Sequence, residues 1–252
     1  MSIRISVAII TFNEEKNIER CIQSVLPIAD EILVLDSFSE DKTKEICSKY
    51  EVVFKQHIFD GHIQQKNRAI EYTTNEYVLS LDADEALSTK LLASIKSIKE
   101  NWGSVDGYYM NRLTNYCGKW INHCGWYPDT KLRLFKKGKG HWTGTNPHDK
   151  FEVENDKNTS KLKGDLLHYS YYTIKQHLDQ VNYFTDILAK EQYQTKGASI
   201  LKILISPWIK FIKDYFIKLG ILDGYYGFVV CFVSSFATFI KYAKIRRLQK
   251  VQ

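Results

Sequence analysis

Four short apolar runs between Ile3 and Leu81, each followed by a helical pattern, constrain this chain more than any other feature. Residues 3–10 read as a first strand. Asn13 is placed to cap the next helix, with Glu14 and Glu15 in its first turn. Ile18, Cys21, Ile22 and Val25 then recur at helical spacing, and Pro27 ends the helix. Glu31–Asp36 reads as a second strand, and Ser39 or Asp41 caps a helix running to Tyr50. Glu51–Phe54 is a third strand, Ile63–Tyr72 a helix and Tyr77–Leu81 a fourth strand. A further helix starts near Ser88. Such alternation predicts an α/β fold with a mostly parallel sheet and right-handed crossovers. Ligands bind such sheets beyond the carboxyl ends of the strands. Three of those ends carry polar groups: Thr11 to Glu14, Asp36 with Ser37, and Asp82 with Asp84.

The acidic pair carries the most chemistry. Carboxylates one residue apart at a strand end suit a hard cation, Mg²⁺ or Mn²⁺, whose shell phosphate oxygens complete. A solvated acidic turn is the structural alternative. Neither a GxGxxG fingerprint nor a P-loop follows the first strand, so Rossmann-type dinucleotide binding and P-loop chemistry are disfavoured. Without a glycine nest, a pyrophosphate at this edge needs a metal.

The five cysteines form no CxxC pair, and Cys117 with Cys124 lacks a second pair to complete a zinc site; reduced thiols are the reading. The N-terminal apolar run lacks a sustained h-region and a cleavage site, so it reads as the first strand of a protein expected in the cytosol or on its membrane face. Net charge is +6. The segment Lys241–Lys250 is rich in Lys and Arg and has no acid. Beside an apolar stretch this fits anionic lipid, not nucleic acid.

After Gly103 the alternation stops. Tyr108–Leu113, Lys131–Phe135 and Asp165–Tyr169 read as shorter strands, separated by an aromatic-rich stretch, 115–148, that suits a sugar-binding loop surface. From Ile200 a broad apolar helical face with a cationic stripe predicts an interfacial helix, kinked or divided at Pro207. Gly224–Ile240 carries no charge but is short for a span of about 20 residues and contains Ser234, Ser235 and Thr238. An in-plane anchor is favoured over a span or a buried dimer helix. The division predicted is a catalytic domain, 1–199, and a membrane-associating tail, 200–252.

With these residues in place, the chain resembles the family 2 inverting glycosyltransferases of the GT-A fold. Within them it resembles the lipopolysaccharide-core glucosyltransferases that add β-linked glucose to heptose. The blocks that carry the likeness are Ser6–Glu15, Glu31–Asp41, Leu81–Glu85, Gly125–Asp129, Arg133–Phe135, Pro147–Asp149, Gly164–His168 and Gly220–Gly224.

The resemblance implies a UDP-sugar donor, a saccharide or glycolipid acceptor, and an enzyme held peripherally on the inner face of the cytoplasmic membrane. Thr11, Asn13 and Glu14 would line the nucleotide pocket, and Asp36 would accept from the uracil N3–H. Lys66 and Arg68 would sit near the diphosphate, with Asp82 and Asp84 facing the metal. Asp36 as a turn cap and Lys66 on a solvated helix face are the alternatives. Inversion needs a general base for the acceptor hydroxyl. Asp129 is the first choice, on the expectation that partial desolvation raises its proton affinity. Asp149 is the second, although related chains carry Val-His-Glu where this one has Pro147-His148-Asp149. His148 is a further metal or phosphate ligand, and His168 reads as a hydrogen-bonded core histidine. Competing functions are a polyprenyl-phosphate hexosyltransferase, a nucleotidyltransferase and a non-catalytic membrane-binding module.

Overall fold

The computed structural model describes residues 2–145 and 148–251, the side chains of Thr145, His148 and Val251 excepted. The chain divides into two compact units, Met1–Arg112 with Asp129–Tyr169, and Leu113–Pro128 with Ser170–Gln252.

In the first unit, β1 (Ile5–Thr11) is buried along its whole length. The helix α1 (Ile18–Val25) buries Ile18, Cys21, Ile22 and Val25, the stripe its spacing predicts. Next come β2 (Glu31–Asp36), α2 (Thr43–Cys47), β3 (Val53–Gln56), α3 (His62–Glu71) and β4 (Tyr77–Asp82). The strand β1 lies between β2 and β4, both parallel to it, and β3 adds parallel to β2. The registers Thr11↔Asp36 and Ile10↔Asp82 bring the three polar strand ends to one edge.

The order then turns antiparallel. After β5 (Glu85–Leu87) and α4 (Thr89–Glu100), the strands β6 (Gly107–Tyr116), β7 (Lys119–Ile121), β8 (Asp129–Lys136), β9 (Gly140–Thr145), β10 (His148–Val153) and β11 (Thr159–Tyr171) follow. The sheet reads β3-β2-β1-β4-β8-β6-β11-β5, with β7 paired to β6 and with β9 and β10 as a separate hairpin. The segment 115–148, expected as loop surface, is therefore largely strand, and Asp129 opens β8.

Alternation along β1 sends Ile5, Val7 and Ile9 to one face, against α1 and α4, and Ala8 and Ile10 to the other. Both faces are covered, which is why these strands read as continuous apolar runs. The β9–β10 hairpin helps to close the second face. Phe151 stacks on Phe135 at 3.6 Å between ring centroids, and Asn67 of α3 exchanges two 2.9 Å hydrogen bonds with the Trp142 backbone. Ser88 caps α4, accepting from Leu91 N–H. At Gly164 of β11, a Cβ would stand 2.3 Å from Leu91 N, so only glycine lets the strand pass the start of α4.

Asn13 does not cap α1. It takes a left-handed conformation, φ 53°, and its side-chain oxygen accepts from Glu40 N–H at 2.8 Å. Asparagine tolerates that region, and the bond ties the turn after β1 to the turn after β2.

The second unit contains α5 (Ile174–Gln192), α6 (Ile200–Ile212), a π-helical turn Lys213–Ile217, a 3₁₀ turn Gly220–Asp223 and α7 (Gly224–Val251). The helix α5 starts in a capping box between Thr173 and Gln176. Pro207 lies inside α6 without dividing it. Both α5 and α6 pack on α7. A break at residue 200 thus falls within this unit. Tyr116, Ile121, Cys124, Val230 and Cys231 form one of its buried clusters, beside which His177 Nδ1 meets the Tyr116 hydroxyl at 3.1 Å; Ala189, Ala198 and Ile245 form another. All five cysteines are free thiols.

Candidate active site

The polar edge of the first unit gathers its side chains from strands that end or begin there. Thr11 closes β1 with its hydroxyl buried and without a hydrogen-bond partner among the described residues. Glu14 accepts from Asn17 at 2.7 Å. Burial, reinforced by the nearby Asp84 charge, pushes its carboxyl up to about 7.

At the end of β4 the three acids diverge in role. Glu85 is buried and turns back to accept from the Asp82 N–H at 3.0 Å. Asp82 is met by Lys66 Nζ at 3.1 Å and Arg133 Nη2 at 3.1 Å. Burial opposes its ionisation, but these two cations outweigh that and hold its carboxyl well below the usual range. Asp84 faces His168, Nε2 to Oδ2 at 3.1 Å. Burial again opposes the charge, and the imidazole more than offsets it. The histidine arrives by register: β11 pairs antiparallel with β5, placing His168 opposite Glu85.

Ion pairs continue from there along the edge. Arg133, 2% exposed, donates to Glu85 at 2.8 Å as well as to Asp82. Arg112 reaches Glu85 at 3.7 Å and clamps Asp129 through Nη2 at 2.8 Å and Nε at 3.0 Å. Lys131 adds a 3.0 Å contact to Asp129. Burial would raise the Asp129 carboxyl, but Arg112 and Lys131 hold it below its ordinary value. Desolvation therefore does not make Asp129 a stronger base, because two cations are paired with it through the β6–β8 register, which the sequence pattern does not fix. At the other end, Lys66 is buried, not on a solvated face, and donates to Asp149 at 2.7 Å beneath the Trp142 ring.

A cavity of about 750 Å³ opens along this chain of charges. Lys66, Asp82, Arg112, Arg133, Trp142 and Asp149 are among its lining residues. Asp129 is tied to Arg112 but is not among the lining residues. Arg68 spends its guanidinium on Asp60, at 2.7 and 3.0 Å, and does not line the cavity. Asp36 is buried and accepts from Ser39 N–H and from Gln56, at 3.0 and 2.9 Å, so its carboxylate serves the turn after β2. The His148 side chain lies outside the described residues.

Arg133, Glu85 and Arg112 escape the sequence reading, as does the partner of His168, which reads as hydrogen-bonded and meets Asp84. One signal was present: Arg133 interrupts the apolar run Leu132, Leu134, Phe135, and a charge at a strand position of that kind needs a buried partner.

Among the described residues no three His, Cys, Asp or Glu side chains converge as a closed metal cage. The donor set fits the other mode. One or two carboxylates at a cavity edge hold Mg²⁺ or Mn²⁺ when diphosphate oxygens supply the remaining ligands. Asp82 lines the cavity and meets that description; Asp84, ionised and beside His168, follows two positions later and is not among the lining residues.

Known proteins share this arrangement of sequence. An uncharacterised glycosyltransferase of Rickettsia typhi is 31% identical over 257 residues, covering 97% of this chain and 87% of its own. The lipopolysaccharide core biosynthesis glycosyltransferase LpsC of Rhizobium meliloti is 25% identical, covering 96% and 91%. A solved glucosyl-3-phosphoglycerate synthase of Mycobacterium tuberculosis, in complex with Mn²⁺ and UDP-glucose, overlays 45% of this chain and 44% of its own at a TM-score of 0.37 and 21% identity. Residues 6–152, the stretch that builds the parallel strands, the acidic pair and the covering hairpin, match the family described as glycosyl transferase family 2. With that match and relatives aligned over nearly its full length, the chain belongs to glycosyl transferase family 2; its α/β sheet, whose parallel strands the alternation predicts, is the GT-A fold that the resemblance implies.

Proposed function

We propose that this glycosyltransferase moves a hexose, glucose being the reading, from a UDP-sugar to a hydroxyl of a lipopolysaccharide-core or lipid-linked saccharide, with inversion. The observation that carries the proposal is the meeting of Lys66 and Asp82 on the cavity wall, an ammonium for a diphosphate and an acid for a cation, with Asp84 in the turn directly after β4 as a second acid that is not among the lining residues. LpsC, named for lipopolysaccharide core biosynthesis, supports the acceptor class. The free thiols fit a reducing cytoplasmic setting.

In this reading Lys66 exchanges its carboxylate partners for the donor diphosphate. A divalent cation would supply charge neutralisation for the leaving diphosphate, and Asp82 and Asp84, with His168 beside the latter, would hold it. The acceptor oxygen attacks the anomeric carbon from the face opposite UDP, and a carboxylate takes its proton. Asp149 is favoured for that role because it lines the cavity and is released when Lys66 turns to the diphosphate. Asp129 is the second reading; its two cations keep it ionised, though weakly basic.

The test is transfer from UDP-glucose to a core oligosaccharide, with the product anomer read by NMR. A β-linked product is expected, with kcat lowered about 100-fold or more in Asp149→Asn and less in Asp129→Asn. An α-linked product would overturn inversion. Near-normal transfer by both variants would favour a phosphate acceptor, which needs no base.

A further inference from the structure

Outside the catalytic edge, the most unusual surface lies on α6 and the first half of α7. Along α6, Leu201, Leu204, Ile205, Trp208, Ile209 and Ile212 are exposed, with Trp208 at 69%. Along α7, Tyr225, Phe228, Phe232 and Phe236 are exposed, and their spacing of three or four residues puts them on one stripe. The two helices pack together, and Ser235 Oγ donates to the Pro207 carbonyl at 2.7 Å, so the stripes belong to one platform. The turn joining the helices adds Phe216, Ile217 and Leu222. A soluble monomer seldom leaves so many large apolar side chains together in water.

Charge says what covers them. From Tyr193 to Gln252 the chain has eight lysines and two arginines against two acids, Asp214 and Asp223. Both acids are buried and spent internally. Asp214 pairs with Lys210 at 2.6 Å and Lys218 at 3.1 Å, while Asp223 accepts from the His123 N–H at 2.8 Å. The exposed charge of this segment is therefore cationic, Lys196, Lys213, Arg247 and Lys250 included. Burial and the neighbouring Lys196, Lys202 and Lys210 hold Lys241 below its usual range, the mark of a cation excess. A second copy of the same face would repel it. An anionic bilayer would attract it, with acyl chains to receive the apolar stripes.

The second half of α7 is already engaged. Lys244 donates to Asn182 Oδ1 and Thr185 Oγ1 of α5 at 2.8 and 2.9 Å and pairs with Asp186, and Arg246 donates to the Ala198 carbonyl at 3.0 Å. A helix of spanning length, Gly220–Lys250, is thus held along one half by a polar helix that has no place in hydrocarbon.

We propose that α6 and the first half of α7 form an in-plane anchor that seats this protein on anionic phospholipid without crossing the bilayer. The proposal stands independently of the donor and acceptor assigned above.

The test is sedimentation of the full chain with phosphatidylcholine vesicles, with and without phosphatidylglycerol. Binding is expected to require phosphatidylglycerol and to weaken as salt rises. It should fall roughly tenfold in Trp208→Glu with Phe216→Glu, exposed positions whose thermal melt should match wild type. Lys213→Glu with Arg247→Glu should remove the salt-dependent part. Absence of vesicle binding, or a dimer in light scattering that the Trp208/Phe216 variant dissociates, would overturn the proposal. Retention in the membrane pellet after alkaline carbonate extraction would overturn the in-plane geometry.

Discussion

Lys66 and Asp149, 83 positions apart in sequence, meet at 2.7 Å under the ring of Trp142. The same ammonium contacts Asp82, so it joins the end of β4 to the hairpin that covers the sheet. A diphosphate entering the cavity competes with both carboxylates for it. Lys66→Ala is expected to weaken UDP binding about 10- to 100-fold, the loss of one charge-assisted contact. Calorimetric titration measures it; wild-type affinity in the variant would place the diphosphate elsewhere.

The two acids of the Asp82–Asp84 pair should behave differently. Asp84 is held ionised by a histidine, whereas Asp82 is already neutralised by Lys66 and Arg133. Asp84→Asn is expected to abolish the Mn²⁺-dependent part of UDP binding. Asp82→Asn should keep some of it while lowering stability. Titration with and without Mn²⁺ reads the order, and the reverse order would move the cation to Asp82.

Arg133 is a buried guanidinium between Glu85 and Asp82. Removing one member of a buried ion network strands the others. Arg133→Met should cost about 3–5 kcal/mol in urea unfolding. A loss under about 1 kcal/mol would mean that water reaches Glu85 once the arginine is gone.

His177 makes the second unit sensitive to acid. Burial lowers its imidazole from 6.5 to about 4. Between those values the unfolded chain binds the proton more readily, so stability rises with pH across this window. The full contribution, about 3 kcal/mol, is present above pH 6.5 and is lost as the pH falls toward 4. Denaturant midpoints at pH 7.5 and 5 should differ for this reason. His177→Gln, which keeps a partner for Tyr116 but does not titrate, should shrink the difference. An unchanged difference would assign it to other groups.

How far the residues alone carried the reading depends on range. The apolar runs Ile5–Thr11, Glu31–Asp36 and Tyr77–Asp82 and the stripe on α1 were legible because period and burial are local properties. The helix α5 was not, since its apolar positions are interrupted by Gln176, Asp179 and Lys190 and its stability comes from packing on α7. Lys131–Phe135 reads as a strand and is the body of β8, but β7, β9 and β10 were hidden in an aromatic segment whose pattern does not distinguish strand from loop.

The same division runs through the site. Residue order alone determined that Thr11, Asp36 and Asp82 end strands of one parallel sheet, because each closes its apolar run, with Asp84 in the turn that follows. Tertiary structure alone decided which cations meet which acids: Arg112 on Asp129, Lys66 on Asp149, Arg133 on Glu85 and His168 on Asp84. Those pairings depend on antiparallel register and on the docking of a hairpin over α3. Their electrostatics follow distance and burial in space, which spacing along a chain does not encode.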